Sequence, residues 1–394
     1  MPSVIKRINE YNKALPEDLK KIKYNALHES PFRFYRGTCH LFAEDFKDLY
    51  GYNSKLKTWT CGDAHFENFG SYKGANRLVY FDINDFDEAI LSNPQPEITR
   101  FLTSLIIAAQ QMRVEDAIVH NALEEIMQKY TAALSAGKAL MMESELARGV
   151  LKKYFHRLQS RNRESFITKH TEQVKGKWIL KQNDGHFIPI DKKKKEEIFT
   201  GLRPLLKQNK HFAGLDLLDT AFRLAGTGSL GLLRYAVLCF DKHKNKHYLI
   251  DIKQTRRSCY ERVLKIEQPK FATEADRIIY AEYTMQYNAI AFLTSVNIAG
   301  KCFVVKEMQP LVDKLSLENF GTDFAALKES ALDMAPLIAY SQLRSSGHKG
   351  SSTADDLMRF ADKGKWEKEL IDLSAKLADN NNKYYKAFRE ANIA

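Results

Sequence analysis

Two segments rich in glycine and acidic residues divide this 394-residue chain, and their order restricts how it can fold. The first, GDAHFENFG (Gly62 to Gly70), is followed by the acidic run FDINDFDEA (Phe81 to Ala89). The second, GTGSLG (Gly226 to Gly231), stands far downstream, ahead of YLIDIKQT, a strand-like run that carries Lys253. The surroundings of the two differ. Residues 1–60 read as mostly helical, EITRFLTSLIIAAQQM (Glu97 to Met112) repeats apolar residues at helical spacing, and further helices are expected over 115–165. From about Asp216 the pattern becomes strand, glycine turn, strand, polar loop, strand. EADRIIYAEYTMQYNAIAFLTS (Glu274 to Ser295) predicts a helix, CFVVKEMQP (Cys302 to Pro310) a buried strand, and about 320–394 more helices. WILKQNDGHFIPI (Trp178 to Ile190) reads as a hairpin turning at Asp184 and Gly185. A β-rich unit thus interrupts a helical one.

Composition excludes several classes. Hydrophobic residues at 44% and charged residues at 28% describe a globular chain with ample core. No apolar run approaches the ~20 residues that span a bilayer, and the start, MPSVIKRINEYNK, has no signal-peptide character. Five scattered cysteines (Cys39, Cys61, Cys239, Cys259 and Cys302) form no paired spacing, which argues against a disulfide framework or zinc site and for a reducing, cytoplasmic compartment. The net charge of +11 suits an anionic partner. The densest basic run, DKKKKEE (Asp191 to Glu197), is offset by its own glutamates and reads as a turn or helix start. No nucleic-acid module accompanies it, so nucleic acid is a disfavoured partner.

The motifs themselves point to phosphate chemistry. GTGSLG has the GxGxxG spacing, with Gly226, Gly228, Ser229 and Gly231 as candidate phosphate contacts. A dinucleotide fold requires a helix directly after the glycines, whereas LLRYAVLCF reads as a strand. A glycine loop between two strands, followed by a strand lysine, is the arrangement of kinases. Taken alone, it is also that of a glycine hairpin with no ligand. Lys253 is expected to reach phosphates and to be held by Glu282 of the following helix, with Glu274 and Gln286 as rivals. Asp63 and Asn68 stand five residues apart, the spacing between catalytic aspartate and metal-binding asparagine in a kinase catalytic loop. Capping of local backbone groups would use the same residue types. Three further aspartates, Asp82, Asp85 and Asp87, crowd the next strand end, a costly arrangement without a cation. Strand alternation would put Asp85 and Asp87 on one face and Asp82 on the other. Asp85 is therefore the favoured Mg²⁺ ligand, with Asp87 supporting a second metal and Asp82 orienting the loop.

These residues resemble known families. GDAHFENFG followed by NDFDEA is similar to the GDxHxxN and IDxxDA motifs of aminoglycoside-phosphotransferase-like kinases. Over roughly residues 30–350 the chain resembles the bacterial family called domain of unknown function 2252, through SPFRFYRGT, CGDAHFENFG, VYFDINDFDEA, GTGSLGLLRY, IDIKQT and FVVKEMQPLVDK. The resemblance implies a catalytic Asp63, a loop-orienting His65, metal ligands Asn68 and Asp85, and a phosphate lysine at Lys253. It also implies that backbone groups of Glu307, Met308 and Gln309 hold adenine. Because kinases place the glycine loop before the catalytic loop, the implied fold is a two-lobed α+β, kinase-like fold in circularly permuted order. DMAPLIAYSQLRSSG (Asp333 to Gly347) resembles the helix that normally precedes the catalytic loop.

The expected organisation is a large helical lobe over 1–210, a small nucleotide lobe over 211–312, and helices over 313–394 that complete the large lobe. The expected activity is Mg-ATP-dependent phosphoryl transfer to an unidentified hydroxyl acceptor, chosen by a groove that includes Arg36, Arg100 and the helices of 115–165. AMP transfer on the same fold, or nucleotide binding without catalysis, are the alternatives. The sequence is silent on oligomeric state.

Overall fold

In a computed structural model of the chain, residues 3–53, 55–182, 187–224, 230–309 and 314–391 are described. Four short helices open it: α1 (Val4–Asn12), α2 (Glu17–Leu27), α3 (Pro31–Gly37) and α4 (Cys39–Leu49). The Ser30 hydroxyl accepts from the Arg33 amide and Pro31 fills the first turn, which sets the start of α3. Two small antiparallel pairs follow. β1 (Thr58–Thr60) pairs with β4 (Ile90–Ser92), and between them lies the hairpin of β2 (Phe69–Lys73) and β3 (Val79–Ile83). Helix α5 (Gln95–Gln111) is buried along almost its whole length. It packs among α6 (Asp116–Ser135), α11 (Phe324–Arg344) and α13 (Trp366–Glu390), so segments from both ends of the chain share one core. Helix α12 (Ala354–Ala361) begins at a reciprocal cap between Thr353 and Asp356 and packs on α6.

The β-rich region is a six-stranded antiparallel sheet. Its strands are β7 (Phe187–Ile188), β8 (Leu215–Arg223), β9 (Arg234–Asp241), β10 (Lys246–Gln254), β11 (Thr294–Ile298) and β12 (Lys301–Glu307), in the order β11-β12-β10-β9-β8-β7. Period-two alternation gives it two different faces. Tyr235, Val237, Ile250, Ile252, Phe303 and Val305 pack on Ile198 and Leu202 of α9 (Lys192–Gln208). The other face carries Ala221, Ala236, Leu238 and Leu249 at one end, covered by Ile167 of α8 (Arg163–His170). At its other end it carries Arg234, Asp251, Lys253 and Lys306. Helix α7 (Gly149–Gln159) lies against β2 and β3, and α10 (Glu274–Met285) contacts β11 and β12. The sheet therefore draws an edge strand and a covering helix from before residue 211.

Two local expectations change and one holds. The helix expected to run from Glu274 to Ser295 stops at Met285, because Gln286 turns extended and its side-chain amide donates to the Ile83 carbonyl at 2.7 Å. Thr294 already belongs to β11. The segment Trp178 to Ile190 is not a hairpin. Its first strand, β6 (Lys177–Leu180), turns back through Lys175 and Gly176 to pair with β5 (Thr171–Val174), while β7 pairs with β8. Asp184 and Gly185 lie outside the described residues. The basic run of 192–195 is the first turn of α9, whose N-cap is Asp191.

The end of α11 lies against the strand that leads into the first motif. Thr58 Oγ1 is 3.4 Å from the Gln342 carbonyl, and the Ser352 amide donates to the Lys57 carbonyl at 2.7 Å. No helix among the described residues is long and apolar enough to cross a membrane.

Candidate functional site

Gly62 starts the site because only glycine fits there. Its φ is +77°, and a Cβ would lie 2.1 Å from the Glu88 carbonyl oxygen. The chain then folds into a tight turn: the His65 amide donates to the Asp63 carbonyl and the Asn68 amide to the His65 carbonyl, both at 2.8 Å. The Asn68 side chain fastens this turn to the next loop. Its Nδ2 donates to the Asp63 carbonyl at 3.0 Å and to the Asp85 carbonyl at 3.1 Å. With its nitrogen committed, the amide presents Oδ1 as its acceptor.

Asp63 is held by a residue that the motif does not contain. Nε and Nη2 of Arg100 each lie 2.5 Å from Asp63 Oδ1. Arg100 is fully buried in α5, with its guanidinium 4.2 Å from the ring centre of Tyr35 and 5.0 Å from that of Phe42. Burial pushes the Asp63 carboxyl up to about 6, against the pull of Arg100. His65 Nε2 is 3.9 Å from Asp63 Oδ2, beyond hydrogen-bond reach. Burial, with Arg36 and Arg100 nearby, lowers the imidazole well below its ordinary range, so His65 is neutral.

The acidic run places its three aspartates differently from a continuous strand. β3 ends at Ile83, and Asp85 and Asp87 sit in the loop beyond it, where the Asp87 amide donates to Asp85 Oδ1 at 3.2 Å. The two carboxylates flank one ammonium: Lys253 Nζ is 3.0 Å from Asp85 Oδ2 and 2.5 Å from Asp87 Oδ2. Burial opposes ionisation of Asp85, but Lys253, Lys314 and Lys306 outweigh it and hold the carboxyl well below the usual range. Burial and the charge of Asp85 push Asp87 upward. Asp82 lies elsewhere. It is buried and bound by Arg344 Nη2 at 2.8 Å and by the amides of Ile83 and Tyr287, so it joins β3 to α11 instead of joining the other two.

Lys253 and Glu282 do not pair. Glu282 is buried, and its Oε1 and Oε2 each lie 3.4 Å from Nζ of Lys306 on the neighbouring strand. Antiparallel pairing of β10 with β12 sets Lys306 opposite Asp251 and Val304 opposite Lys253, which points both lysines to one sheet face. Of the rivals, Glu274 pairs with Arg277 and Gln286 binds the Ile83 carbonyl.

Beside Lys253 the same face carries a buried ionic triad. Asp251 Oδ1 accepts from Arg223 at 2.7 Å and from Arg234 Nε at 2.8 Å. Arg223 Nη2 also donates to the Gln309 carbonyl at 3.3 Å. The amides of Glu307 and Met308 donate to the carbonyls of Ala291 and Leu249, both at 2.8 Å, and the Gln309 side chain donates to the Ser71 carbonyl. Of the backbone groups expected to hold adenine, the Glu307 and Met308 amides and the Gln309 carbonyl are thus already engaged. Gly226, Gly228 and Ser229 lie outside the described residues. Gly231 is described: its φ is +101°, and a Cβ would lie 2.5 Å from Leu15 of the α1–α2 turn.

Two recesses adjoin this constellation. One is lined by Arg36, Cys39, Asp63, Asp85, Asp87 and Arg256. The other lies beside Met308, Gln309, Leu249, Tyr72 and Arg163. Among the described residues no group of three or more histidine, cysteine, aspartate or glutamate side chains forms a metal site, and the cysteines form no disulfide.

A family model matches residues 15–391, nearly the whole chain. The chain belongs to the family described as "Uncharacterized protein conserved in bacteria (DUF2252)". No curated protein and no solved structure matches it.

Proposed function

We propose that the chain transfers a phosphoryl group from Mg-ATP to a hydroxyl acceptor, on a two-lobed, kinase-like fold in circularly permuted order. The observation that carries this reading is the Asn68 amide, which ties the Asp63 and Asp85 segments together while Lys253 bridges Asp85 and Asp87. Four side chains that phosphoryl transfer requires thereby lie within one cluster, drawn from segments 168 residues apart. The strand order β8-β9-β10-β12-β11, with α10 between β10 and β11, agrees with a kinase small lobe. The contact between the end of α11 and β1 supports the permuted order.

The residues fit a hard divalent cation. Two carboxylates gathered on one ammonium, beside an uncommitted amide oxygen, form an oxygen donor set. Asn68 and Asp85 would hold Mg²⁺, with Asp87 in support, and the ion when bound supplies neutralising charge for the phosphates. The chain's own residues do the rest. Lys253, released from the two carboxylates, binds phosphate oxygens. Asp63, fixed by Arg100, orients the acceptor hydroxyl and takes its proton as the oxygen attacks phosphorus. Positioning of this kind supplies most of the catalysis in phosphoryl transfer. The recess beside Asp63, lined also by Arg36, Asp85, Asp87 and Arg256, is the acceptor site. Five free cysteines support a cytoplasmic setting.

Thermal unfolding with ATP, with and without Mg²⁺, tests the reading on wild type and Asp85→Ala. Ligand at ~100 times its dissociation constant adds about 2.7 kcal/mol, a clear melting shift. A Mg²⁺-dependent shift in wild type that is lost in the variant is the expected result. No shift with any nucleotide overturns the reading. In a later acceptor screen, AMP attached to product in place of phosphate would move the assignment to nucleotidyl transfer, and binding without turnover to a non-catalytic sensor.

A further inference from the structure

The carboxylates of the site each have a cation: Asp63 has Arg100, Asp85 and Asp87 share Lys253, Glu282 has Lys306, and Asp251 has Arg223 and Arg234. A further lysine stands outside these pairs. Lys314, half-buried, forms no ion pair or side-chain hydrogen bond among the described residues. Its backbone is fixed. Lys314 bridges Gly70, two residues beyond Asn68, while the Leu315 amide donates to the Phe69 carbonyl at 3.0 Å and Tyr154 donates to the Lys314 carbonyl at 3.1 Å. Asp85 attracts its ammonium, Arg234, Lys253 and Lys306 repel it, and it acts in turn on His65. Lys314 thus stands where the turn that bears Asp63, the loop that bears Asp85 and the charged sheet face meet. Arg234, Lys253 and Lys306 each already have a carboxylate, whereas Lys314 has none of its own among the described residues and is available to a bound anion.

We infer that Lys314 contacts the phosphoryl group being transferred, at the end of the triphosphate that faces Asp63. The inference rests on the phosphotransferase reading above. In the transfer, the bond from the terminal phosphorus to its bridging oxygen breaks and a bond to the acceptor oxygen forms. The acceptor's proton passes to Asp63, and ADP departs with the bridging oxygen. Lys314 neutralises the non-bridging oxygens throughout.

The experiment measures binding of ADP and of ATP, each with Mg²⁺, to wild type, Lys314→Met and Lys314→Arg, together with the melting temperature of each ligand-free protein. Wild type is expected to favour ATP over ADP. The methionine variant should lose about tenfold or more in ATP affinity, with ADP affinity unchanged, as a charged contact to the terminal phosphate requires. The arginine variant should retain most of the preference. The ligand-free methionine variant should melt at or above the wild-type temperature, because a surplus cation has been removed. An ATP preference that persists undiminished in Lys314→Met overturns the inference and leaves the proposed function standing, as does a ligand-free melting temperature clearly lowered by the substitution. Wild type that binds neither nucleotide removes the proposed function, and this inference with it.

Discussion

Glu282 presents both carboxylate oxygens to Lys306 at 3.4 Å, on the strand next to the one that bears Lys253. Glu282 is buried and Lys306 nearly so, so removal of either partner strands a charge. Lys306→Met and Glu282→Gln are each expected to destabilise the fold by about 3 kcal/mol, and the double variant by clearly less than the sum. Urea unfolding of the four proteins measures the coupling. Additive losses would mean that the pair does not interact.

Asp63 and Asp85 are expected to fail differently. Asp63→Asn and Asp85→Ala should each lower turnover by about a thousandfold or more, near 4 kcal/mol of barrier. Asp63→Asn should keep Mg-dependent nucleotide binding, whereas Asp85→Ala should lose it. Calorimetric titration with ATP and Mg²⁺ separates the two. Equal binding in both variants would remove Asp85 from the metal set.

The acid limb of turnover should lie near Asp63. Its carboxyl is raised to about 6 by burial, so kcat/KM should increase as pH climbs through about 6 and the group ionises. Stability should run the opposite way. A carboxyl whose folded value lies above its unfolded one favours the fold most below the unfolded value, near ~4, and that contribution is lost as pH climbs through the folded value. Asp63→Asn should flatten the stability profile over this window. A wild-type profile that rises there would contradict the assignment.

Two glycines with the same φ make a further comparison. Gly62→Ala meets both the left-handed backbone and the Glu88 carbonyl, while Gly176→Ala meets the backbone cost alone, with nothing within 4 Å of the new Cβ. The first should cost more than about 2 kcal/mol and the second about 1 kcal/mol. Melting temperatures of the two variants decide the matter. Equal losses would show that the Glu88 carbonyl yields readily.

Much of the site was legible because its residues are close in sequence. Asp63 and Asn68 share one turn, and the strand character of the Lys253 segment follows from its apolar alternation. The Glu282 partner was not legible, since strand register decides it: Lys306 shares a face with Lys253 only through the pairing of β12 with β10. Arg100 left a usable signal, an arginine within the apolar run of α5, where an unpaired charge would be costly. Lys314 left none, because its position depends on a bridge to Gly70, 244 residues earlier (314 minus 70). Alternation set Asp82 apart from Asp85 and Asp87, as the structure does, although β3 ends at Ile83 and the latter two lie in the loop beyond it.

The separation of 168 residues between Asp85 and Lys253 also sets an order of events during synthesis. At ~5–20 residues per second, ribosomes deliver the two carboxylates about 10 to 30 seconds before the ammonium that they share. Over that interval Asp85 and Asp87 repel each other without a countercharge and stay hydrated. The half of the chain made first is thus barred from closing its own centre, and the strand made later completes it.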